Sequence, residues 1–271
     1  MIDGLGRYGV ALSVGDDLEA HADAVERLGY SAIWVAGGQL QTLEPLLRIL
    51  RATTRVAVVP GIIPLDVHGP AAIADLYAEA ERIAPGRLVV GIGGQAGGIA
   101  ALRRALDELD SAVPQERRLL AALGPRKLEL ARDRFGGAVT LLVDPAFTTW
   151  ARDRLGGGPT LVADQMVVLD EDAAAARSAA RGTLGFLATV PGYAAAFTRM
   201  GFGDTDIRDL SDGLVDAAFA WGGIDRVVAR LREQEAAGAD HVVVAPLGGP
   251  GELETLERLA RAGLVSGSGR R

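Results

Sequence analysis

Short apolar runs alternate with amphipathic segments along nearly the whole chain, and this alternation constrains the fold more than any other feature. Eight runs read as buried strands, each followed by apolar residues at helical spacing. The predicted strands are 8–14, 32–35, 55–63, 88–90, 118–122, 139–143, 165–169 and 241–245. Strict alternation of strands and helices indicates an α/β protein with a parallel sheet. Eight such units in 271 residues predict a (β/α)8 TIM barrel. A long helical insertion is expected between strands seven and eight.

Length, charge and residue usage limit the remaining choices. Residues 1–262 are expected to form one domain and 263–271 a flexible C-terminal tail. The net charge of −7 and the lack of a basic cluster argue against a nucleic-acid partner. There is no cysteine, which excludes disulfides and thiolate chemistry and fits a cytoplasmic protein. No signal peptide is apparent, and no apolar run approaches the ~18 residues of a membrane span.

The stretch from His68 to Gly94 contains one helix and one strand with clear boundaries. Pro70 suits the first helical turn, and Pro85-Gly86 ends the helix. The apolar run that follows ends in Gly91, Gly93 and Gly94, which remove side chains from the carboxyl end of the strand. A flat ligand could therefore approach the backbone there. The segment 91–96 also fits G-x-G-x-x-A, the dinucleotide fingerprint, so a Rossmann-type sheet is an alternative.

Two turns are candidate anion sites. Leu123-Gly124-Pro125-Arg126 opens a helix directly after a strand, where free N–H groups, the helix dipole and the Arg126 charge favour an anion. Gly222-Gly223 precedes another predicted helix and offers a second pocket. In both cases a plain strand–helix turn is the alternative.

The ends of the strands are mostly Gly, Ala, Pro or Leu, so the site suits a cofactor that carries the chemistry itself. No metal-ligand cluster or nucleophile elbow is evident. His68 follows strand three on the catalytic side and is the candidate general acid–base residue, with a plain loop role as the alternative. Trp34 could stack on a ring or belong to the core. Asp66 and Glu44 are lesser acidic candidates. His21 is expected on the surface, and His241 at the start of a strand far from the barrel mouth.

Three segments, taken in order, resemble the luciferase-like superfamily, whose members use a flavin or a deazaflavin. The first is the Pro-led helix at Pro70, then Pro85-Gly86-Arg87 and a strand that ends Gly91-Ile92-Gly93. The second is Leu120 to Val143, with Gly-Pro between a strand and an amphipathic helix. The third is Ala220 to Gly248, with Ala-Trp-Gly-Gly, a helix and Ala-Gly-Ala-Asp before a strand.

The resemblance implies an oxidoreductase that transfers hydride between coenzyme F420 and a small organic substrate, with an FMN-dependent monooxygenase as the alternative. It implies that the cofactor ring lies near Gly93-Gly94 and the phosphate near Gly124 to Arg126, and that the protein is a homodimer. The residues expected to bind cofactor are Ile62, Ile63, Gly93, Gly94, Gln95, Leu123, Gly124, Pro125, Arg126, Gly222 and Gly223. Where many deazaflavin-dependent members carry His or Glu after strand two, this chain has Ala36 to Gln39. A barrel without catalysis is therefore a second alternative.

Overall fold

The computed structural model describes residues 2–94 and 98–265. Its strands are β1 Tyr8–Ala11, β2 Ala32–Ala36, β3 Ala57–Gly61, β4 Ile63–Pro64, β5 Val90–Gly93, β6 Arg118–Ala121, β7 Gly137–Leu141, β8 Thr160–Val168, β9 Ala220–Trp221 and β10 His241–Pro246. Its α-helices are α1 Leu18–Leu28, α2 Glu44–Ala52, α3 Pro70–Ile83, α4 Gly98–Leu109, α5 Pro125–Arg134, α6 Pro145–Leu155, α7 Ala173–Ala188, α8 Pro191–Arg199, α9 Asp204–Asp209, α10 Asp212–Ala218, α11 Ile224–Ala236 and α12 Glu252–Arg261.

The strands form one parallel sheet that curls into a barrel. Their order is β3-β2-β1-β10-β8-β7-β6-β5-β4, and β9 pairs only with the end of β8. β3 and β4 are two halves of one barrel strand, separated at Ile62, where the Gly61–Ile62 peptide bond is cis. A bridge between Val58 and Leu88 closes the barrel. The (β/α)8 fold predicted from the sequence is confirmed.

Two apolar layers hold the barrel together. The inner layer fills the barrel with side chains that include Trp34, Val89, Leu119, Val162 and Val243. The outer layer lies between strands and helices and takes the alternate residues of the same strands, such as Val242 and Val244 of β10. This division follows from the two-residue period of strands. Because of this period, the inward-facing residues at the carboxyl end of each strand lie at the barrel mouth.

Several boundaries differ from the sequence expectation. β8 begins at Thr160 rather than at 165, and the insertion contains a short strand, β9, at Ala220–Trp221. Pro60 lies inside β3, opposite Val35, and the strand predicted over 55–63 is interrupted at Ile62. The insertion between β8 and β10, expected to be largely helical, comprises α7 to α11 with β9 inside it. Helix α9 was not anticipated.

The C-terminal segment packs on the barrel further than expected. Leu264 is 5% exposed and belongs to the outer apolar layer, although the sequence placed it in a flexible tail. Residues 266–271 lie outside the described part of the chain. Among the described residues, no helix combines the length and apolarity that crossing a bilayer requires.

Candidate active site

A cavity of about 820 Å³ opens at the carboxyl ends of the strands from β4 to β8. Helices α4 and α5 form its sides, and α8 of the insertion covers it with Tyr193 and Arg199. The apolar wall includes Ile62, Leu65, Ile99, Leu102, Val139 and Leu141. Ligand cavities in proteins typically measure ~300–1,000 Å³ and are mostly apolar with a few polar groups. The size and lining therefore suit one organic cofactor or substrate.

Gly93 and Gly94 at the end of β5 line this cavity. The glycines of this segment also allow neighbouring strands to approach each other closely. A Cβ on Gly93 would lie 2.5 Å from Cδ1 of Ile62 and 3.2 Å from Cβ of Ala121. A Cβ on Gly91 would lie 2.1 Å from the carbonyl oxygen of Pro60. Gly94 has φ +125°, a conformation that favours glycine. Gly93 and Gly94 thus lie at the cavity, Gly93 against Ile62 and Gly94 against Leu65 and Asp66.

The N-terminus of α5 forms the second part of the site. Gly124 is the N-cap residue, and no atom of the described neighbouring residues lies within 4 Å of the position that its Cβ would take. Arg126 and Lys127 in the first turn of the helix line the cavity. Lys127 Nζ donates to the carbonyl of Gly94 over 3.4 Å, and burial lowers the pKa of this lysine. Open space at a helix N-terminus beside cations favours an anion.

The cations around this helix end lack carboxylate partners. Arg126, Lys127 and Arg199 form no ion pair with another described residue, whereas Arg118, Arg134 and Arg177 elsewhere do. Arg199 instead donates to the carbonyl of Leu123 at 3.4 Å, and its guanidinium lies 4.3 Å from the ring centroid of Trp150. Unpaired cations facing one cavity favour a negatively charged ligand group.

Asp164 is the acidic group on the barrel side of the cavity. It belongs to β8, where it lies opposite Leu141 of β7 and Val243 of β10. Burial raises the pKa of its carboxyl to about 7. Its Oδ1 atom is buried and has no hydrogen-bond partner among the described residues. The group can therefore carry a proton near neutral pH and has an unused hydrogen-bonding position.

His68 does not line the cavity. Its Nε2–H donates to the carbonyl of Leu40 over 2.8 Å and so ties the loop after β4 to the loop after β2. The carbonyl can only accept, so this nitrogen is engaged as a donor. The geometry supports a positional role for His68, while the acid–base role remains a prediction.

Other predicted cofactor residues are also not brought together. Ile63 is fully buried in the outer layer, because it alternates with Ile62. Gly222 and Gly223 follow β9 and do not line the cavity. The Glu171 carboxylate lies against Gly223, 2.6 Å from an ideal Cβ, and a carboxylate there disfavours an anion. Gln95 lies outside the described residues.

The remaining candidates are accounted for by local partners. Trp34 is 1% exposed inside the barrel, so its core interpretation is correct. Glu44 pairs with Arg51, and His21 lies 3.5 Å from Glu252. Asp66 lines the cavity near Gly94. In residues 2–94 and 98–265, no three His, Asp or Glu side chains gather into a metal-holding group.

The bare loop after β2 has a packing reason. A Cβ on Gly37 would lie 2.0 Å from the carbonyl oxygen of Ile62. The loop therefore packs directly on the bend between β3 and β4, and no side chain fits there. The contact accounts for glycine at position 37 of this loop.

Sequence reasoning missed four polar or charged cavity residues, namely Lys127, Asp164, Tyr193 and Arg199. Lys127 adjoins the predicted Arg126 and could have been included with it. An acidic residue within Leu161-Val-Ala-Asp-Gln-Met-Val was a further signal, since charged groups are rarely buried without a purpose. Tyr193 and Arg199 carry no such signal, because they reach the cavity from the insertion.

One family profile matches the N-terminal part of the chain. Residues 5–103 match the profile of the luciferase-like monooxygenase family. This match agrees with the resemblance to the luciferase-like superfamily that the sequence motifs carry. No curated protein sequence matches the chain.

Three solved structures illustrate the similarity. A coenzyme F420-dependent tetrahydromethanopterin reductase from Methanopyrus kandleri aligns with a TM-score of 0.75 and 17% identity, over 95% of this chain and 98% of the reductase. An F420-dependent secondary alcohol dehydrogenase aligns with a TM-score of 0.75 and 14% identity, over 96% of this chain and 99% of the dehydrogenase. The oxygenating component of a 3,6-diketocamphane monooxygenase from Pseudomonas putida, in complex with FMN, aligns with a TM-score of 0.65 and 14% identity. The alignment covers 94% of this chain and 97% of the monooxygenase component. At these identities the similarity concerns the fold.

Proposed function

We propose that this protein is a luciferase-like oxidoreductase that binds coenzyme F420 in the cavity and transfers hydride to or from a small organic substrate. The observation that carries the proposal is a set of three cations, Arg126, Lys127 and Arg199, at the open N-terminus of α5. None of them forms an ion pair with another residue in the described part of the chain. The rest of the cavity wall is mainly apolar, with Asp66 and Asp164 as its acidic lining residues, and the net charge of the chain is −7. An apolar ring system with a phosphate-bearing chain matches this distribution of charge.

The residues fit such a cofactor in two places. Gly124, Pro125 and the cations would hold the phosphate, with Gly124 leaving open space beside the helix end. Ile62, Gly93 and Gly94 would contact the ring, together with Leu123. When bound, the deazaflavin supplies a hydride donor or acceptor. The protein residues bind and orient the ligands, and α8 limits the access of water from above.

FMN is the alternative cofactor, because both cofactors have a ribityl phosphate chain. The fold similarity favours F420: the two F420-dependent neighbours align with a TM-score of 0.75, against 0.65 for the FMN-dependent monooxygenase. A barrel that binds a cofactor without catalysis, or binds neither, is the second alternative. The loop at Gly37, which has no room for a side chain, motivates it.

Parallel titrations test these possibilities. The purified protein is titrated with F420 and with FMN, and binding is followed by cofactor fluorescence and by calorimetry. We expect saturable binding of F420 at least about tenfold tighter than of FMN, a difference of about 1.4 kcal/mol. Tighter binding of FMN would favour the monooxygenase. Binding of neither would contradict the proposal.

A further inference from the structure

Asp164 takes no part in the cofactor contacts proposed above, although its position in the barrel is distinctive. It shares the inward face of β8 with Val162, which belongs to the barrel interior, and lies two residues closer to the carboxyl end. Its strand neighbours in register are Leu141 and Val243, both apolar. This places a single carboxyl group at the barrel end of the cavity.

The carboxyl of Asp164 is incompletely satisfied. Oδ1 is inaccessible to solvent and has no hydrogen-bond partner in the described part of the chain. Buried polar atoms in folded proteins nearly always have a partner, and exceptions occur at functional sites. The side chain also lines the cavity, so a ligand there can contact the carboxyl group, and a rotation of the side chain would give Oδ1 its partner.

Tyr193 of α8 completes the polar part of this end of the cavity. Burial raises the pKa of Tyr193, and the charge of Asp164 raises it further, so the phenol keeps its proton. Within the barrel, His241 of β10 is buried and neutral, because burial lowers its pKa to about 4. The other charged groups that line the cavity are Asp66, Arg126, Lys127 and Arg199.

We propose that Asp164 and Tyr193 bind the oxygen of an uncharged carbonyl or alcohol substrate, and that Asp164 exchanges a proton with that oxygen. The proposal rests on the proposed function, which provides the redox partner. Reduction of a carbonyl adds a hydride to carbon, supplied by reduced F420, and a proton to oxygen, supplied by Asp164. Asp164 then regains a proton from solvent. In the reverse direction its carboxylate accepts the proton of the alcohol.

The surroundings also define the rest of the substrate. Val139, Leu141 and Leu102 give this part of the cavity apolar walls, so an apolar body fits. An anionic substrate group beside Asp164 would be repelled once Asp164 is ionised. The site therefore selects neutral, oxygen-bearing, apolar molecules over carboxylates.

The first experiment examines the cofactor-free protein, so that its outcome does not depend on cofactor binding. Infrared difference spectra are recorded from about pH 5 to 9, with Asp164→Asn as the reference and Asp75→Asn, on an exposed position, as the control. We expect a protonated carboxyl signal that is lost with a midpoint near neutral pH and is missing only in Asp164→Asn. The absence of a carboxyl titrating in this range would overturn the proton-holding role.

The second experiment examines ligand binding in the protein saturated with whichever of F420 or FMN binds. Cyclohexanone, cyclohexanol and cyclohexanecarboxylate serve as probes in ligand-observed NMR. We expect the ketone and the alcohol to bind to the wild-type protein and to outcompete the carboxylate. In Asp164→Leu and in Tyr193→Phe, we expect both ligands to bind about tenfold more weakly.

Two results would overturn the substrate role. One is a failure of ketone and alcohol to bind, or equal binding in wild type and Asp164→Leu. The other is a loss of cofactor affinity in Asp164→Leu without a change in ketone binding, which would place Asp164 against the cofactor. If wild type binds neither cofactor, the proposed function fails, while the infrared result still decides the state of Asp164.

Discussion

Trp34 and His241 stack inside the barrel with ring centroids 5.7 Å apart, and Trp34 Nε1 donates to His241 Nε2 over 3.1 Å. His241 Nδ1–H donates in turn to the carbonyl of Gly6. Both imidazole nitrogens are thus engaged, and the ring is neutral because burial lowers its pKa to about 4. Trp34 is held in the core by this pair and is not available to stack on a cofactor ring.

This arrangement predicts an acid-sensitive fold. The pKa of His241 is about 4 in the folded protein and about 6.5 when unfolded, so the unfolded chain binds the proton first. The stability contribution is complete above pH ~6.5 and is lost as the pH falls towards 4, by on the order of 3 kcal/mol. His241→Gln should flatten this dependence in urea unfolding measured across that range. His21→Gln, at a half-buried position beside Glu252, should retain it, and an unchanged slope in His241→Gln would contradict the assignment.

The raised pKa of Asp164 predicts that folding stability changes with pH in the opposite direction. Its folded pKa is raised from 3.8 to about 7, so stability is greatest below pH ~4 and is lost as the pH rises to about 7. The cost at pH 8 is on the order of 2–4 kcal/mol. Asp164→Asn should therefore gain stability relative to wild type as the pH rises, in chemical unfolding at several pH values. Asp75→Asn is the matched control, and a difference independent of pH would refute the burial argument. The pH dependences of stability that His241 and Asp164 cause have opposite signs and partly cancel in the wild-type protein. The His241→Gln and Asp164→Asn variants are therefore required to separate the two contributions.

The cation cluster predicts the strength of cofactor binding. A charge-assisted contact to phosphate contributes about 1.5–3 kcal/mol, so Arg126→Ala should weaken F420 or FMN binding roughly ten- to a hundredfold. Lys127→Met should have an effect of similar direction, since both side chains line the cavity. Arg258→Ala, on the exposed surface of α12, is the control in fluorescence titrations. Unchanged affinity in both cavity variants would place the phosphate elsewhere.

The hydrogen bond of His68 predicts a modest loss of stability when its side chain is removed. Its hydrogen bond to the carbonyl of Leu40 joins two loops, and such a bond contributes about 0.5–1.5 kcal/mol. His68→Ala should lower the unfolding free energy by that amount and change cofactor affinity by less than about threefold. A fall in turnover of ~10²–10⁴ with intact cofactor binding would instead restore the general-acid role that the sequence suggested.

The homodimer implied by the superfamily resemblance is a further prediction. Sedimentation equilibrium at micromolar concentration should give twice the chain mass of 28.2 kDa. A species of the chain mass alone would reject the dimer.

Local patterns in the sequence were sufficient for the barrel and for one part of the site. Strand runs and helical spacing predicted the eight barrel positions, because periodicity reflects which face of an element is buried. The Gly124-Pro125 turn predicted the N-terminus of α5, since capping and the fixed φ of proline act within a few residues. The superfamily resemblance rested on the order of such local motifs.

Tertiary structure decided which residues share the cavity. Gly222 and Gly223 look like Gly124 in sequence, yet β9 places them at the end of β8, away from the cavity. Tyr193 and Arg199 come from the insertion and meet Asp164 and Arg126 only when α8 packs over the barrel. The sequence by itself determined the elements and their order, because those depend on near neighbours. Only barrel closure brought distant residues into one site and buried Asp164, and burial is what changes the chemistry of a carboxyl group.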